Sequence, residues 1–365
     1  MKIERVEWRN VHVPLTQPYE IARQVTDSVD LLYVKLCSDD GLDGWGAASP
    51  AEEVTGESVA ACEAALALGA ERLSGCDPRE PAALAAALAK EIPRAPAARA
   101  ALDMACHDLA AKRAGRPLAE HLGRVHERLP TSITIGIQPV EETLAAAADY
   151  VARGFRCIKV KIGNQLELDI ERLVRLREIC GASVALRVDA NQGYDAEQTR
   201  RFFAATASLD LEFVEQPMPA SQDAALLALP AELRRQVAMD ESLHSLADAQ
   251  RLAGPPAAVG TFVVKLMKCG GPTPALEIAA AAEAGGVDLM WGCNDESAIS
   301  IAAALHVAYA SPATRYLDLD GSFDLTSDLA RGGFRVVDGQ LELTPQPGLG
   351  VSVQWERPMG TLLKS

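Results

Sequence analysis

The sequence predicts an α/β protein: a (β/α)8 TIM barrel with an α+β capping domain built from the N-terminal region and the C-terminal segment. Two observations predict the barrel. Polar residues close successive apolar runs at nearly constant spacing, 28 residues from Lys161 to Asp189 and 25 from Asp240 to Lys265. The runs, separated by amphipathic stretches, are SITIGI, CIKVKIG, VALRVDAN, LEFVEQP, QVAMDES, TFVVKLMK, VDLMWGC and RYLDLDG.

The chain before the barrel predicts a mixed domain. Its opening segment, IERVEWRNVHVPL, alternates apolar and polar residues as a half-buried strand does, and a hairpin is predicted to turn at residues 39–41. From Glu57 to about Gly123 the pattern changes to alanine-rich helices with apolar positions every three or four residues.

The chain after the barrel returns to an alternating, turn-rich pattern, FRVVDGQLELTPQPGLGVSV. Its Asp338-Gly339 step lies between two apolar runs and predicts a tight hairpin. We therefore predict a capping domain over residues 1–125, a catalytic barrel over 126–322, and a segment over 323–365 that packs back on the capping domain.

Composition and charge exclude several functions. The 365-residue chain is 48% hydrophobic and carries a formal net charge of -15, which disfavours nucleic acid and anionic membrane surfaces as partners. The N-terminus is charged where a secretory peptide is apolar, and no apolar run reaches the roughly 20 residues of a membrane span, so we expect a cytoplasmic protein. The 8 cysteines form no CxxC pair, so neither a zinc site nor a disulfide framework is indicated.

Three carboxylates close consecutive barrel strands. Asp189, Glu215 and Asp240 end the third, fourth and fifth runs, and neighbouring parallel strands lie about 4.8 Å apart. Active sites of TIM barrels lie at this end of the strands. Acids this close repel one another unless a hard cation neutralises them, and Mg²⁺ accepts carboxylates while leaving positions for substrate oxygens. The sequence therefore predicts a magnesium site.

Two lysine pairs flank the acids. Lys159 and Lys161 share one face of the second strand, and Lys265 and Lys268 follow the sixth strand on the opposite side. A cation on the substrate carboxylate would stabilise the enediolate formed when the α-proton leaves. We expect one lysine, its pKa lowered by a neighbouring charge and burial, to remove the proton and the other to return it on the opposite face.

The motifs VHVPLTQPYE, GWG, IKVKIG, VDANQG, VEQP, MDES and KLMKCGG together resemble the enolase superfamily, in its muconate-lactonising subgroup. The resemblance covers essentially the whole chain and implies the modified, enolase-type barrel. It implies that one Mg²⁺ per subunit is bound by the three acids, and that Lys161 and Lys265 are the acid/base pair. Lys159 and Lys268 are then supporting cations in the substrate site, and Asn191 and Glu241 support the metal ligands from behind.

The YLDLDG motif resembles the aspartate pair with which dipeptide epimerases hold the α-ammonium group of their substrate. Asp318 and Asp320 share one strand face and match that pair. We assign Thr134, on the first barrel strand, to the same substrate-binding set. The resemblance implies inversion of the α-carbon of the C-terminal residue of an L,L-dipeptide.

The sequence indicates the dipeptide side chains that the site prefers less clearly than it indicates the reaction. Epimerases for Ala-Glu resemble one another in an arginine after the PY or PF step, whereas this chain has Gln24 there and Arg23 one position earlier. Asp295 after the seventh strand, with Glu52 and Glu53 in an earlier loop, could instead attract a cationic side chain.

Other functions remain open from sequence alone. A cycloisomerase, dehydratase or o-succinylbenzoate synthase would use the same lysines, although their substrates have no ammonium group for an aspartate pair. A lysine Schiff-base aldolase and a binding protein without turnover are further alternatives. We expect a homo-oligomer with a small-molecule dipeptide as its substrate.

Overall fold

The computed structural model describes residues 1–21 and 24–356, without the side chains of residues 19–25. The chain begins with an antiparallel sheet in which the second strand is central. Its strands are β1 (Ile3–Ile21), β2 (Gln24–Ser38) and β3 (Asp43–Ala48). The predicted hairpin is confirmed, and Gly41 has the positive φ of 80° that its turn requires.

Helices follow this sheet, as the alanine-rich pattern predicts. They are α1 (Glu52–Thr55), α2 (Val59–Leu73), α3 (Pro81–Glu91), α4 (Pro96–Arg113) and α5 (Leu118–Leu122). Most side chains of α4 are buried, and β3 packs directly on it. The approach is close because Gly44 and Gly46 have no side chain, so that the carbonyl oxygens of Ala105 and Ala101 fill the space of a Cβ.

Eight parallel strands in sequence order form the barrel within the described residues. After β4 (Leu129–Pro130) they are β5 (Ile133–Ile135), β6 (Cys157–Lys161), β7 (Ala185–Asp189), β8 (Leu211–Glu215), β9 (Val237–Met239), β10 (Thr261–Val264), β11 (Asp288–Gly292) and β12 (Thr314–Asp318). A parallel bridge joins Thr131, two residues before β5, to Leu317 of β12. All eight predicted strands are therefore confirmed.

Helical segments connect the strands. They are α6 (Val140–Ala152), α7 (Leu166–Cys180), α8 (Ala196–Thr206), a 3₁₀ helix (Ala220–Ala228), α9 (Ala231–Arg234), α10 (Leu246–Ala253), α11 (Leu266–Cys269), α12 (Pro272–Gly285) and α13 (Ala298–Ala310). A small apolar cluster fills the barrel interior, formed by Phe213, Ala238, Val263, Met290 and Tyr316. Glu215 and Asp240 lie two residues beyond Phe213 and Ala238 and so follow them on the same strand faces.

The C-terminal part forms β13 (Ala330–Gly332), β14 (Phe334–Val337), β15 (Gln340–Leu343) and β16 (Val351–Val353). The predicted hairpin at Asp338-Gly339 is confirmed, and both residues have positive φ. The hairpin pairs with β4, beside the barrel, rather than with the first sheet. Beyond it, the Trp355 ring lies 5.4 Å from that of Trp45 on β3. The proposed domain boundaries stay a prediction.

In the described part of the chain, no helix combines the length and apolarity that crossing a membrane requires.

Replacing Gly46 by alanine tests the contact between β3 and α4. The added methyl group would overlap the carbonyl oxygen of Ala101, and overpacking of this kind costs about 1–3 kcal/mol. We expect chemical denaturation to show a loss of that size in the free energy of unfolding. The control is Gly254→Ala, where the Cβ would have no neighbour closer than 3.4 Å. Equal stability of the two variants would contradict the proposed packing.

Candidate active site at the carboxyl ends of the barrel strands

The predicted acids lie together at one end of the barrel. Asp189 and Glu215 are the last residues of β7 and β8 and lie side by side as partners in the parallel pairing. Asp240 directly follows β9. Each is at most 3% exposed. The parallel strands bring them together because each strand ends at the same level of the sheet.

Each acid is ion-paired with lysine. Lys161 lies 2.6 Å from Asp189, and Lys159 lies 3.2 Å from Asp189 and 2.8 Å from Glu215. On the other side, Asp240 pairs with Lys265 and Lys268.

The distances there are 2.9 Å from Lys265 to Asp240 and 2.5 Å from Lys268 to the same carboxylate. Lys268 also donates to the backbone carbonyl of Asp240. The two predicted bases thus contact different acids on opposite sides of the cluster.

The charges shift the ionisation of the cluster. Burial opposes the charge of Asp189, but the neighbouring lysine ammonium groups outweigh it and lower its pKa to about 2. Burial and the negative charge of Asp189 raise the pKa of Glu215 to about 8. Burial disfavours the charged form of Lys265, yet the carboxylates of Asp240 and Glu215 raise its pKa. The pKa of Lys265 rises because its ammonium group is in direct contact with a carboxylate.

Four buried oxygens in this cluster have no hydrogen-bond donor: both carboxylate oxygens of Glu215, Oδ1 of Asn191 and Oε2 of Glu241. Lys159 lies close to Glu215 as an ion pair without hydrogen-bond geometry. Buried acceptors without donors are costly, and a divalent cation satisfies such oxygens. The residues therefore fit Mg²⁺. Among residues 1–21 and 24–356, however, no three acidic, histidine or cysteine side chains converge as a complete metal-binding set, since lysines lie between the acids.

The turns that follow Asp189 and Glu215 have strained backbones and form hydrogen bonds with the acids. Asn191 and Gln216 adopt positive φ values of 41° and 34°, which are uncommon for residues with a side chain. The Asn191 backbone donates to Asp189 Oδ1 at 2.9 Å, and its side chain donates to Glu241 at 3.4 Å. The Gln216 side chain accepts from the backbone of Asp240 at 3.1 Å. Asn191 thus contacts both Asp189 and Glu241, and the supporting role of Asn191 and Glu241 at the metal ligands stays a prediction.

The aspartate pair is divided between two environments. Asp318 is 4% exposed and contacts Lys159 at 2.7 Å and the Ser132 hydroxyl at 2.5 Å. Asp320 is partly exposed and accepts from the Thr134 backbone at 2.8 Å. Sequence reasoning missed Ser132, although its position two residues before Thr134 puts both on one strand face.

The predicted specificity residues are partly or fully exposed, or they lie outside the described residues. Asp295 is partly exposed on the loop after β11, and its backbone carbonyl accepts from Ser49 at 2.8 Å. Glu52 and Glu53 are exposed in α1. The side chain of Gln24 lies outside the described part of the structure, as does Arg23, so their predicted place in the site stays a prediction.

Two family models match the chain. Residues 142–357 match the enolase C-terminal domain-like family, and residues 4–123 match the N-terminal domain of mandelate racemase / muconate lactonizing enzyme. The chain belongs to this family of the enolase superfamily. The resemblance stated from the motifs is confirmed.

Within this family, the chain is 55% identical to the L-Lys-D/L-Arg epimerase of Methylococcus capsulatus, over 96% of this chain and 99% of that protein. It is 50% identical, with the same coverage, to the L-Lys-D/L-Arg epimerase of Desulforapulum autotrophicum. The crystal structure of the M. capsulatus dipeptide epimerase complexed with Mg and L-Arg-D-Lys superposes with a TM-score of 0.94, covering 96% of this chain and 99% of that one.

Magnesium binding tests the oxygens left without donors. At 100 times its Kd, Mg²⁺ is expected to stabilise the fold by about 2.7 kcal/mol, seen as a higher thermal midpoint at constant ionic strength. Glu215→Gln removes a carboxylate ligand from the cluster and should diminish the shift.

The control is Glu212→Gln on the same strand. Glu212 pairs with Arg187 at a distance of 2.7 Å and has no ion pair with the lysines of the cluster, so this variant should retain the thermal shift. Equal shifts in both variants would contradict a magnesium site at Glu215.

Proposed function

We propose that this protein is a Mg²⁺-dependent dipeptide epimerase, which inverts the α-carbon of the C-terminal residue of an L,L-dipeptide. One observation carries the proposal. Lys161 ends β6 and Lys265 follows β10, so that the three strands bearing the acids lie between the two amines. An α-carbon held over the acids is therefore accessible to one amine from each side.

We assign metal binding to Asp189, Glu215 and Asp240. Their burial, their position at three neighbouring strand ends and the Glu215 oxygens without a hydrogen-bond donor support this assignment. The bound cation supplies positive charge that offsets the negative charge developing on the substrate carboxylate. Lys159 and Lys268 add two more positive charges at the same cluster, at 2.8 Å from Glu215 and 2.5 Å from Asp240.

Proton transfer is assigned to Lys161 and Lys265. One neutral amine accepts the α-proton at its Nζ, and the ammonium form of the other donates a proton to the opposite face. Asp189 contacts Lys161 and Asp240 contacts Lys265, so each amine is directed by a different acid. Inversion follows because the proton leaves one face and returns on the other.

The α-ammonium group of the substrate is assigned to the Asp318 and Asp320 pair. Asp320 is the more exposed of the two, while Asp318 is fixed by Lys159 and Ser132. Thr134 orients Asp320 through its backbone. A cycloisomerase or succinylbenzoate synthase has no ammonium group to bind, so this pair favours a dipeptide.

We further propose that the preferred dipeptides carry lysine or arginine side chains. The two relatives named L-Lys-D/L-Arg epimerases support this preference, as do three acids with exposed surface, Asp295 on the loop after β11 and Glu52 and Glu53 in α1. Assembly into a homo-oligomer and location in the cytoplasm stay predictions.

Loss of either base tests the reaction. An L,L-dipeptide library in D₂O is expected to reveal substrates by deuterium incorporation in mass spectra, and polarimetry should show their inversion. Lys161→Ala and Lys265→Ala should each lower inversion at least about 100-fold, the lower range for a positioned acid or base.

Lys35→Ala is the control, since Lys35 pairs with Asp43 in the first sheet and should leave inversion unchanged. Inversion persisting in either base variant, or full activity in chelator, would refute the mechanism. A borohydride-trapped adduct would instead favour the aldolase.

Substrate charge tests the cationic preference. Dipeptides of lysine and arginine should exceed L-Ala-L-Glu in kcat/KM by at least about tenfold, equivalent to 1.4 kcal/mol. The preference should weaken at high ionic strength, because salt screens exposed charges. Asp295→Asn should reduce the preference for cationic dipeptides. Asp288→Asn should leave the preference unchanged, because Asp288 lies at the start of β11 and pairs with Arg315. Equal use of acidic and cationic dipeptides would contradict the preference.

A further inference from the structure

The segment that follows β10 carries one of the two bases. Lys265 is the N-cap residue of the four-residue helix α11, which also contains Lys268. Two glycines, Gly270 and Gly271, then lead into α12. The direction of the Lys265 side chain therefore depends on how this short turn is held.

A buried aspartate from outside the barrel holds the far end of the turn. Asp103 on α4 is 1% exposed and accepts from the Thr273 backbone at 2.7 Å and from the Thr273 hydroxyl at 2.9 Å. Thr273 is the second residue of α12, whose N-cap residue is Gly271. Asp103 thus supplies, from another helix, the capping oxygen that the glycine lacks.

The turn also packs directly on α4. Gly270 and Gly271 have positive φ values of 101° and 120°. A Cβ on Gly271 would lie 2.6 Å from an Asp103 oxygen, and one on Gly270 would lie 2.8 Å from Nε of Arg99. At the near end, the backbone of Ser49 donates to the Met267 sulfur at 3.4 Å. Contacts from outside the barrel therefore fix both ends of the segment.

The opposite base is held differently. The loop after Lys161 is fixed by Asp169 on α7, which accepts from the Gly163 backbone at 3.0 Å. This contact lies entirely within the barrel units and does not involve α4. A change on α4 should therefore affect the two bases unequally.

We propose that Asp103 is a positioning residue for Lys265, which it acts on through Thr273 and the glycine turn. This inference rests on the proposed function. Correct placement of a reacting group contributes strongly to rate, so that a shift of about 1 Å can lower it 100-fold. Loss of Asp103 should therefore displace Lys265 and leave Lys161 in place.

A two-base reaction separates this role from a purely structural one. Each lysine can exchange the α-proton of the epimer that faces it with solvent deuterium, whereas inversion requires both lysines. If only Lys265 is displaced, the epimer facing Lys161 continues to exchange without inverting. Partial unfolding would instead lower exchange and inversion by the same factor.

The test uses the full chain and an active dipeptide in D₂O, with exchange and inversion measured separately from each epimer. For Asp103→Ala we expect kcat for inversion to fall roughly tenfold with KM nearly unchanged. The ratio of exchange to inversion should rise roughly tenfold from one epimer only. Asp103→Asn, which retains an accepting oxygen for the Thr273 backbone, should restore most of the wild-type ratio.

The matched control is Asp108→Ala on the same helix. Asp108 is also buried and accepts from the backbones of Trp45 and Leu349 at 2.8 Å each, without a hydrogen bond to the turn. The Asp108→Ala variant should be less stable but should keep the wild-type ratio of exchange to inversion. If Asp103→Ala does not fold, Thr273→Val, which removes the hydroxyl that donates to Asp103 and keeps the backbone N–H, should give a smaller rise in the same ratio.

An unchanged ratio in the variant that folds, or the same rise in Asp108→Ala, would overturn the positioning role. Absence of exchange by the wild-type enzyme with every dipeptide would refute the proposed function itself.

Discussion

Charge compensation between acids and lysines at the barrel mouth is the constraint on which the rest of the structure depends. Asp189, Glu215 and Asp240 are almost fully buried, and burying a charge without a partner costs several kcal/mol. Lys159 meets part of this cost by contacting three carboxylates, those of Asp189, Glu215 and Asp318. The strands must therefore end at matching levels, because a shift along any one of them would leave an acid unpaired.

The lysines do not satisfy every carboxylate oxygen of the cluster, and the unsatisfied oxygens indicate its function. Both oxygens of Glu215 lack a hydrogen-bond donor, and burial beside Asp189 raises its pKa to about 8. Stability alone would favour hydrogen-bond donors for these oxygens beside the ion pair with Lys159, since a buried acceptor without a donor costs about 1–3 kcal/mol. The strained turns at Asn191 and Gln216 point the same way, because strain of this kind persists where surrounding contacts hold a functional geometry.

The region before the barrel contributes to the site without supplying its acids or bases. Helix α4 packs against β3 on one side and against the turn after Lys265 on another. Glycines allow both approaches, Gly44 and Gly46 on the strand and Gly271 on the turn. Rigid support of this kind matters in a two-base reaction, because inversion needs both amines aligned with one carbon.

The sequence by itself determined the repeating strand and helix units, the three acids at consecutive strand ends and the flanking lysines. Side-chain alternation and strand spacing are local properties that a chain displays before it folds. Only the tertiary structure decided that Asp318 is fixed by Ser132, 186 residues away, and that Asp103 caps a helix 170 residues later. It also decided that the C-terminal hairpin adds to β4. Such partners depend on which surfaces meet when the barrel closes, and no local pattern encodes that.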